Sequence, residues 1–343
     1  MLGRFLVLLL PVVLGGGSQE RSEDRIEEAL VRGMQYMIRS ASVPENFEEY
    51  ASDYVFFFAD VSRFEHPWIR ERALVHGLRL GEVYLEEMFE LETADDVVDA
   101  ASVLWALDFM GRDTDAAMAV LRRTAGWFPL EDYLGFRPWT GKPDLDLLID
   151  LLIGFHFTDR AGVPVGVSFA EALVFVPSVV YVPDAEVGGD RYVDQNNLVT
   201  HLVYTLSGYA SWTVPADLLP REFAYIKEEL PVAVMWADPE TLAEYVDSLK
   251  LMGEGDELIG PAIEVLLDIQ KPDGRWEPVD VEDEYDRYHA TWCVMDALRS
   301  YQLGRRGPDD FIIMEILENW AKQFVQGAPF WPMMDIGPTA DIP

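Results

Sequence analysis

The chain reads Ala262-Ile-Glu-Val-Leu-Leu-Asp-Ile-Gln270-Lys-Pro-Asp-Gly274-Arg-Trp276 and, shortly afterwards, Tyr288-His-Ala-Thr-Trp-Cys-Val-Met-Asp-Ala-Leu298, and these two segments decide the fold. Apolar residues at 259, 262, 263, 266 and 267 form one stripe at the spacing of an amphipathic helix. The Pro-Asp-Gly triplet at 272–274 ends that helix, because proline and glycine cannot continue it. The second segment predicts another apolar helix, so the pair is interpreted as a helical hairpin whose turn Trp276 closes.

This hairpin resembles the QW repeat of squalene-hopene cyclases and other terpenoid-cyclase-like toroids, where a Gln and a Trp around a Gly turn tie successive helices together. The pattern departs at Val265, where an aromatic residue is usual, and at Pro261, where a basic residue is usual. The resemblance predicts an all-α fold, an (α/α) toroid of helical hairpins, and a single repeat implies no activity. The matching positions are Ala262, Leu266, Gln270, Gly274 and Trp276.

Helical patterns with short connections recur along the rest of the chain. They lie at 20–40, 67–91, 94–111, 114–127, 144–156, 196–209, 220–230, 238–252, 255–270, 289–303 and 309–326. Helices repeated without alternating strands favour α-hairpins around an axis over a parallel sheet. The exception is the segment 161–187, where β-branched residues are mixed with Pro and Gly. Pro177 and Pro183 argue against a central strand, so we expect one extended loop or short β insertion over the cavity mouth.

Composition indicates a folded and strongly acidic protein. With 343 residues, 50% of them hydrophobic, the chain can bury a large core, and residues 19–343 are predicted to form a single toroid domain. The formal net charge of -35 argues against binding to nucleic acid or anionic lipid, because the field repels phosphate. We therefore expect a neutral or cationic partner, such as a small molecule, a glycan or a peptide in the cavity.

The N-terminal segment 1–18 has the layout of a signal peptide. Arg4 precedes an apolar run at 5–14, and this run is shorter than the ~20 residues that span a bilayer as a helix. Export to the periplasm or the extracellular space is therefore predicted. Since no clear Ala-x-Ala cleavage site follows, the alternative is an uncleaved segment that tethers the protein to the membrane. The single cysteine, Cys293, cannot form an internal disulfide.

Three of the five histidines are candidate metal ligands. His156, His201 and His289 each lie beside aromatic or apolar neighbours on segments that could line a cavity. Three neutral imidazoles from separate helices can hold a divalent transition metal (Zn, Cu or Fe) and leave one position for water or substrate. The alternative is that each is a core or capping histidine. Candidates to position or protonate a substrate there are Tyr204, Asp144 and Glu244.

A second pattern involves His289, Cys293 and Asp296, which fall at i, i+4 and i+7 on one stripe of a helix. The resemblance to protein prenyltransferase β subunits, which are toroids that bind Zn through Asp, Cys and His, implies a metal role for this triplet. Their ligand order and spacing differ from those found here. The alternative is that Cys293 is a small buried hydrophobe and that Asp296 caps the helix or pairs with Arg299 or Arg287.

Acidic clusters raise further possibilities. Asp95-Asp96-Val-Val-Asp99 matches the DDxxD pattern of class I terpene synthases, although aspartates are also favoured at a helix start. The DxDD motif of squalene-hopene cyclases is absent, because Asp144-Leu-Asp146 is followed by two leucines, so squalene cyclisation is not predicted. The loop 280–286 carries five carboxylates that could bind Ca²⁺ or form a solvated acidic loop. Carboxylates there or at Glu131-Asp132 could act as acid and base on a glycan.

The leading hypothesis from the sequence is an exported, metal-assisted enzyme acting in the cavity of an α/α toroid. Two alternatives stay open: a non-catalytic toroid that binds a peptide, a glycan or a protein, and a carboxylate-dependent enzyme that acts on glycans.

Overall fold

The computed structural model describes residues 19–133, 144–184, 189–279, 281, 283–301, 303 and 305–325. Within these residues the chain forms fourteen α-helices and no β-strand, which confirms the predicted all-α class. The helices are α1 (Gln19–Ser40), α2 (Pro44–Glu49), α3 (Ala51–Val61), α4 (Pro67–Val83), α5 (Ala94–Phe109), α6 (Asp115–Ala125), α7 (Leu145–Ala161), α8 (Phe169–Ala172), α9 (Gly189–Leu206), α10 (Pro220–Trp236), α11 (Pro239–Leu251), α12 (Asp256–Ile269), α13 (Glu284–Leu298) and α14 (Phe311–Val325).

The predicted corner between α12 and α13 is present. The Trp276 side chain is fully buried, and its ring N–H donates to the carbonyl of Leu266 at 2.7 Å. The Gln270 amide donates to the carbonyls of Ala29 and Gly274, both at 2.9 Å. Gly274 has a φ of +99°, a left-handed conformation that glycine adopts without steric cost. The corner therefore ties the end of α12 to α1 as well as closing its own turn.

The segment 161–187 differs from the expectation of a β insertion. Its described part, up to Asp184, contains α8 and a 3₁₀ turn at Leu173–Ser178, and it forms no strand. Ser168 and Glu171 build a capping box, in which each side chain accepts a hydrogen bond from the backbone N–H of the other residue. This helix-start signal outweighs the β-branched composition that favoured a strand. Residues 185–187 lie outside the described residues.

Helix α3 was not expected from the sequence. Its three consecutive phenylalanines, Phe56, Phe57 and Phe58, are all at most 5% exposed, as are most of their neighbours along the helix. A helix that is apolar on every side has no polar stripe, so the periodicity that identifies surface helices is missing. The start of α13 was also placed too late: Asp283 caps it by accepting from Asp286 N–H at 3.1 Å, so His289 lies in the second turn.

Six helices pack on one another in a consecutive order. Helix α3 packs on α5, α5 on α7, α7 on α9, α9 on α11 and α11 on α13, while α1, α4, α6, α10 and α12 pack against members of this set. Helix α13 also contacts α3. The ring centroids of Tyr288 and Tyr54 lie 4.8 Å apart, and the Tyr288 hydroxyl donates to Asp53. One end of the same interface has Arg299 at 3.1 Å from the carboxylate of Asp60.

One prediction about the N-terminal segment lies beyond what the structure describes. The predicted signal peptide at 1–18 falls outside the described residues. Among the helices of the described part, none combines the length and the apolar character that a bilayer span requires.

Candidate metal centre

A cavity with a volume of about 210 Å³, which we call the central cavity, is lined by side chains from α3, α5, α7, α9, α11 and α13. Aromatic rings form part of its wall, including those of Phe56, Tyr209 and Trp292. Carboxyl groups form another part, and Glu244 from α11 is one of them. The cavity therefore combines an apolar surface with several groups that can bind a cation or transfer a proton.

Three potential metal ligands converge at this cavity. Glu244, His289 and Cys293 each offer one ligand atom, and the three atoms lie within 4.8 Å of one another. The Cys293 sulfur is 3.8 Å from Glu244 Oε1 and 4.0 Å from His289 Nε2. Zinc bonds of ~2.0–2.3 Å put neighbouring donors about 3.5 Å apart in a tetrahedral site, so a small approach would bring these atoms to ligand distance.

Neighbouring polar groups orient two of these side chains. Glu240, one turn before Glu244 on α11, places a carboxylate oxygen 3.2 Å from His289 Nδ1. This contact occupies Nδ1 and leaves Nε2 as the nitrogen available to a ligand. Thr200 donates to Glu244 Oε2 at 2.6 Å, which leaves Oε1 on the side of Cys293. Such outer hydrogen bonds are typical of metal ligands, because they fix the orientation of the donor atom.

Burial and charge set the protonation of the three groups. Burial, reinforced by the charge of Glu240, raises the pKa of Glu244 to about 8. Burial also raises the pKa of the Cys293 thiol above its ordinary value. For His289, burial acts to lower the pKa, but Cys293, Tyr285 and Glu240 outweigh it and raise that pKa above the ordinary value. A cation bound by these three groups would therefore displace protons from them.

The three histidines predicted to share one ion do not line one cavity. His201 and His289 both line the central cavity, whereas His156 lines a second cavity together with Asp159 and Arg160. The His201 Nδ1 donates to the Asn197 carbonyl at 2.8 Å, which leaves the lone pair on Nε2. Burial lowers the pKa of His201 to about 4, so its ring is neutral at pH 7.

The three residues predicted to handle the substrate have different positions. Glu244 and Tyr204 line the central cavity, and the Tyr204 hydroxyl donates to the Glu244 carbonyl at 3.5 Å. Asp144 is an exposed N-cap of α7 that accepts from Leu147 N–H at 3.5 Å, and it is not part of the cavity lining. The structure thus places Asp144 in a capping contact and brings the other two together.

The acidic motifs divide in a similar way. Asp96 is held in a capping box with Thr93 at the start of α5, while Asp99 lines the central cavity. Asp99 is exposed to solvent, and partial desolvation at the cavity wall together with the charge of Asp53 raises its pKa above the ordinary value. In the loop 280–286, Asp280 and Glu282 lie outside the described residues.

The other acidic residues of the loop 280–286 have local partners, and the acidic pair at 131–132 is described only in part. Asp283 caps α13, and Glu284 accepts hydrogen bonds from Tyr36 and Ser40 on α1. Of the two carboxylates predicted to act on a glycan, Glu131 has a side chain that the structure does not describe, and Asp132 is exposed.

The grouping of Glu244 with Cys293 was missed by the sequence analysis, although each residue was singled out there. The two lie on α11 and α13, 49 positions apart, and only the packing of these helices joins them. Glu240 carried a usable signal, because Glu240 and Glu244 are spaced i, i+4 and so share a face of one helix. Asp296, on the same stripe as His289, lines the cavity and pairs with Arg299 at 3.3 Å, which confirms one of the partners expected for it.

No protein-family model, curated protein or solved structure matches the chain.

Proposed function

We propose that the chain is an α/α toroid in which α3, α5, α7, α9, α11 and α13 form an inner ring around the central cavity. The consecutive packing of these six helices and the contacts of α13 with α3 support this arrangement. All six contribute side chains to the cavity, as an inner ring requires. The hydrogen-bonded Gln270 to Trp276 corner supports the same arrangement, since it has the role of the corner in the toroids that the sequence resembles.

Within this toroid the proposed function is that of a metal-assisted enzyme. The observation that carries it is the convergence of Glu244, His289 and Cys293 at the wall of the cavity. A carboxylate, an imidazole and a thiolate together suit zinc better than Mg²⁺ or Ca²⁺, which prefer oxygen ligands alone. The contacts of Glu240 and Thr200 support the assignment, because they orient donor atoms as the outer partners of metal ligands do.

Hydrolysis is the reaction class that this site supports best. Three protein ligands leave a fourth position for water or substrate, which is the arrangement of catalytic zinc sites. A zinc ion there would supply Lewis-acid polarisation or a water of lowered pKa. The neutral His201 ring lines the same cavity and keeps a lone pair on Nε2, so it can accept a proton. Tyr204, which also lines the cavity, offers a hydroxyl to position the substrate.

Metal analysis of the purified full-length chain tests this proposal. We expect about one equivalent of zinc per chain in the wild type, and at least about a tenfold loss of affinity in Cys293→Ser and Glu244→Gln, as removal of ligand-sphere groups usually causes. Cobalt substitution should give a thiolate-to-cobalt charge-transfer band that Cys293→Ser lacks. The matched control is His156→Gln, which changes a buried histidine outside the central cavity and should retain the metal.

The result also separates the competing functions. A wild-type chain that takes up no stoichiometric metal, or a Cys293→Ser variant that binds it equally well, would end the proposal. Turnover that survives chelation would favour the carboxylate-dependent reaction on a glycan. Retention of a peptide or glycan with no turnover would favour a non-catalytic binding protein. Loss of metal in His156→Gln, with Cys293→Ser unaffected, would restore the histidine set expected from the sequence.

A further inference from the structure

Two carboxylates on neighbouring helices line the cavity without an ion-pair partner among the described residues. Asp53 on α3 accepts a hydrogen bond from the Tyr288 hydroxyl, and Asp99 on α5 lies close enough to Asp53 to be affected by its charge. Asp99 is exposed to solvent on the cavity wall, and partial desolvation there together with the charge of Asp53 raises its pKa, the direction expected when no cation is nearby. This part of the wall therefore attracts positive charge.

The other four carboxylates that line the cavity either lie near a cation or belong to the proposed metal centre. Asp60 and Asp296 pair with Arg299 at 3.1 and 3.3 Å. Asp247 accepts a hydrogen bond from the Tyr301 hydroxyl and, unlike Asp53, also has the cations Arg299 and Lys250 close enough to counteract the rise in its pKa that burial causes. The fourth, Glu244, belongs to the proposed metal centre. Asp53 and Asp99 are therefore the carboxylates of the described cavity lining whose negative charge no neighbouring cation offsets.

Aromatic rings lie beside this pair. Phe56 follows Asp53 by three positions on α3, so both side chains project from the same face of that helix. The Phe56 ring centroid lies 5.0 Å from that of Tyr209 and 5.5 Å from that of Trp292, and all three rings line the cavity. Aromatic faces attract cations within ~6 Å, and rings combined with carboxylates are the usual receptors of quaternary ammonium groups.

A bound metal ion does not account for these two carboxylates. Within the part of the chain that the structure describes, Glu244, His289 and Cys293 are the one group of three potential ligands close enough to share an ion. Among the described residues, Asp53 and Asp99 have no third donor at that distance, whereas aromatic rings line the same cavity. The long-range field agrees with a cationic ligand, since the formal net charge of the chain is -35.

We propose that the central cavity recognises a small organic cation, an ammonium or quaternary ammonium group, between the carboxylates of Asp53 and Asp99 and the rings of Phe56, Tyr209 and Trp292. The proposal names the substrate class of the metal site and rests on the function proposed above. Tyr209 links the two regions, because its ring centroid lies 5.0 Å from that of Phe56 and 6.4 Å from that of Tyr204, whose hydroxyl donates to the Glu244 carbonyl. A ligand anchored at Asp53 would extend past Tyr209 toward the metal centre.

Choline and its neutral isostere 3,3-dimethylbutan-1-ol are the probes for this proposal, because they differ only in the charged nitrogen. Calorimetric titration of the zinc-loaded full-length protein should show choline binding at least about tenfold more tightly than the alcohol, since a desolvated cation–π contact and two carboxylates favour only the cation. Asp53→Asn and Asp99→Asn should each weaken choline binding by about five- to tenfold. The matched control is Asp108→Asn, an exposed position on α5 that removes the same charge and should leave affinity unchanged.

Equal affinity for the two probes, or no detectable binding of choline, would overturn the proposal, and this comparison needs no variant to fold. Choline affinity that is unaffected by both Asp53→Asn and Asp99→Asn would overturn the assigned position. Zinc content measured in the same samples keeps the two proposals apart. Zinc at one equivalent without a preference for choline removes the substrate class and leaves the metal site. A preference for choline without zinc retains the cation site and removes the metal-assisted function.

Discussion

The buried histidine His156 should make the stability of the protein sensitive to mild acid. The side chain is 4% exposed, and its ring packs on those of Phe157, Phe169 and Tyr209 at centroid distances of 5.3 to 5.5 Å. Burial, assisted by the charge of Arg160, lowers the pKa of His156 to about 3. The folded protein therefore keeps this ring neutral at pH values where an exposed histidine is charged.

The size of the effect follows from the two pKa values. In the unfolded chain a histidine has a pKa of about 6.5. Because the folded pKa is the lower one, the contribution of His156 is fully present above about pH 6.5 and is lost as the pH falls toward 3. Between pH 7 and pH 4.5 the loss is about 2.5 kcal/mol in the free energy of unfolding. That is a large part of the stability of an ordinary domain.

Urea unfolding of the wild type and of His156→Gln at pH 7 and at pH 4.5 measures this contribution to the free energy of unfolding. Other groups titrate over the same range, so the relevant quantity is the difference between the two proteins. The wild type should lose about 2.5 kcal/mol more than the variant when the pH falls from 7 to 4.5. Equal denaturant slopes would show that the two proteins expose similar surface on unfolding. If the two stability curves run parallel, the ring is not held neutral and the reasoning is refuted.

Three further substitutions test the framework around the site. Gly274→Ala would place a Cβ 2.2 Å from a carbonyl oxygen of α1, at a residue whose φ is +99°. We therefore expect the free energy of unfolding in urea to fall by at least about 3 kcal/mol. A decrease under about 1 kcal/mol would contradict the corner geometry. Arg299→Leu leaves Asp296 without its paired cation and leaves Asp60 with Arg63 alone. It should cost about 3 kcal/mol in the same assay, part of which the double variant with Asp296→Asn should recover. Thr93→Ala removes the capping box of α5 and should lower the unfolding free energy by about 1 kcal/mol in thermal melts followed by circular dichroism, whereas an unchanged melting temperature would argue against that cap.

The parts of the fold that depend on local sequence were predictable. The Gln270 to Trp276 corner needs a turn glycine, a helix-ending proline and two side chains a few positions apart, and all of these are visible in one segment. Amphipathic helices such as α12 were identified for the same reason. Helix α3 was missed because it is buried on every side, and α8 was missed because a short capping box lay within β-branched residues.

The candidate site could be predicted only in part. The stripe of His289 and Cys293 follows from helical spacing, and both side chains line the cavity as that spacing implies. The partnership with Glu244 depends on how two helices far apart in sequence pack, which no local pattern encodes. His156 had the same sequence signal as His201, an apolar and aromatic setting, yet the packing of α7 directs it to another cavity. A shared residue type therefore did not imply a shared location.

The contacts between α1 and the end of α12 have a consequence for how the chain matures. Gln270 reaches the carbonyl of Ala29, Arg32 donates to the carbonyl of Lys271, and Arg25 pairs with Glu264, so each contact spans about 240 positions. During synthesis α1 stays without these partners until the residues at the end of α12 have left the ribosome. Closing such a long loop costs chain entropy before any contact repays it, which slows the final step of folding. A chain released before the last hairpin is made would leave the inward side of α1 uncovered, and quality-control proteases could recognise it there.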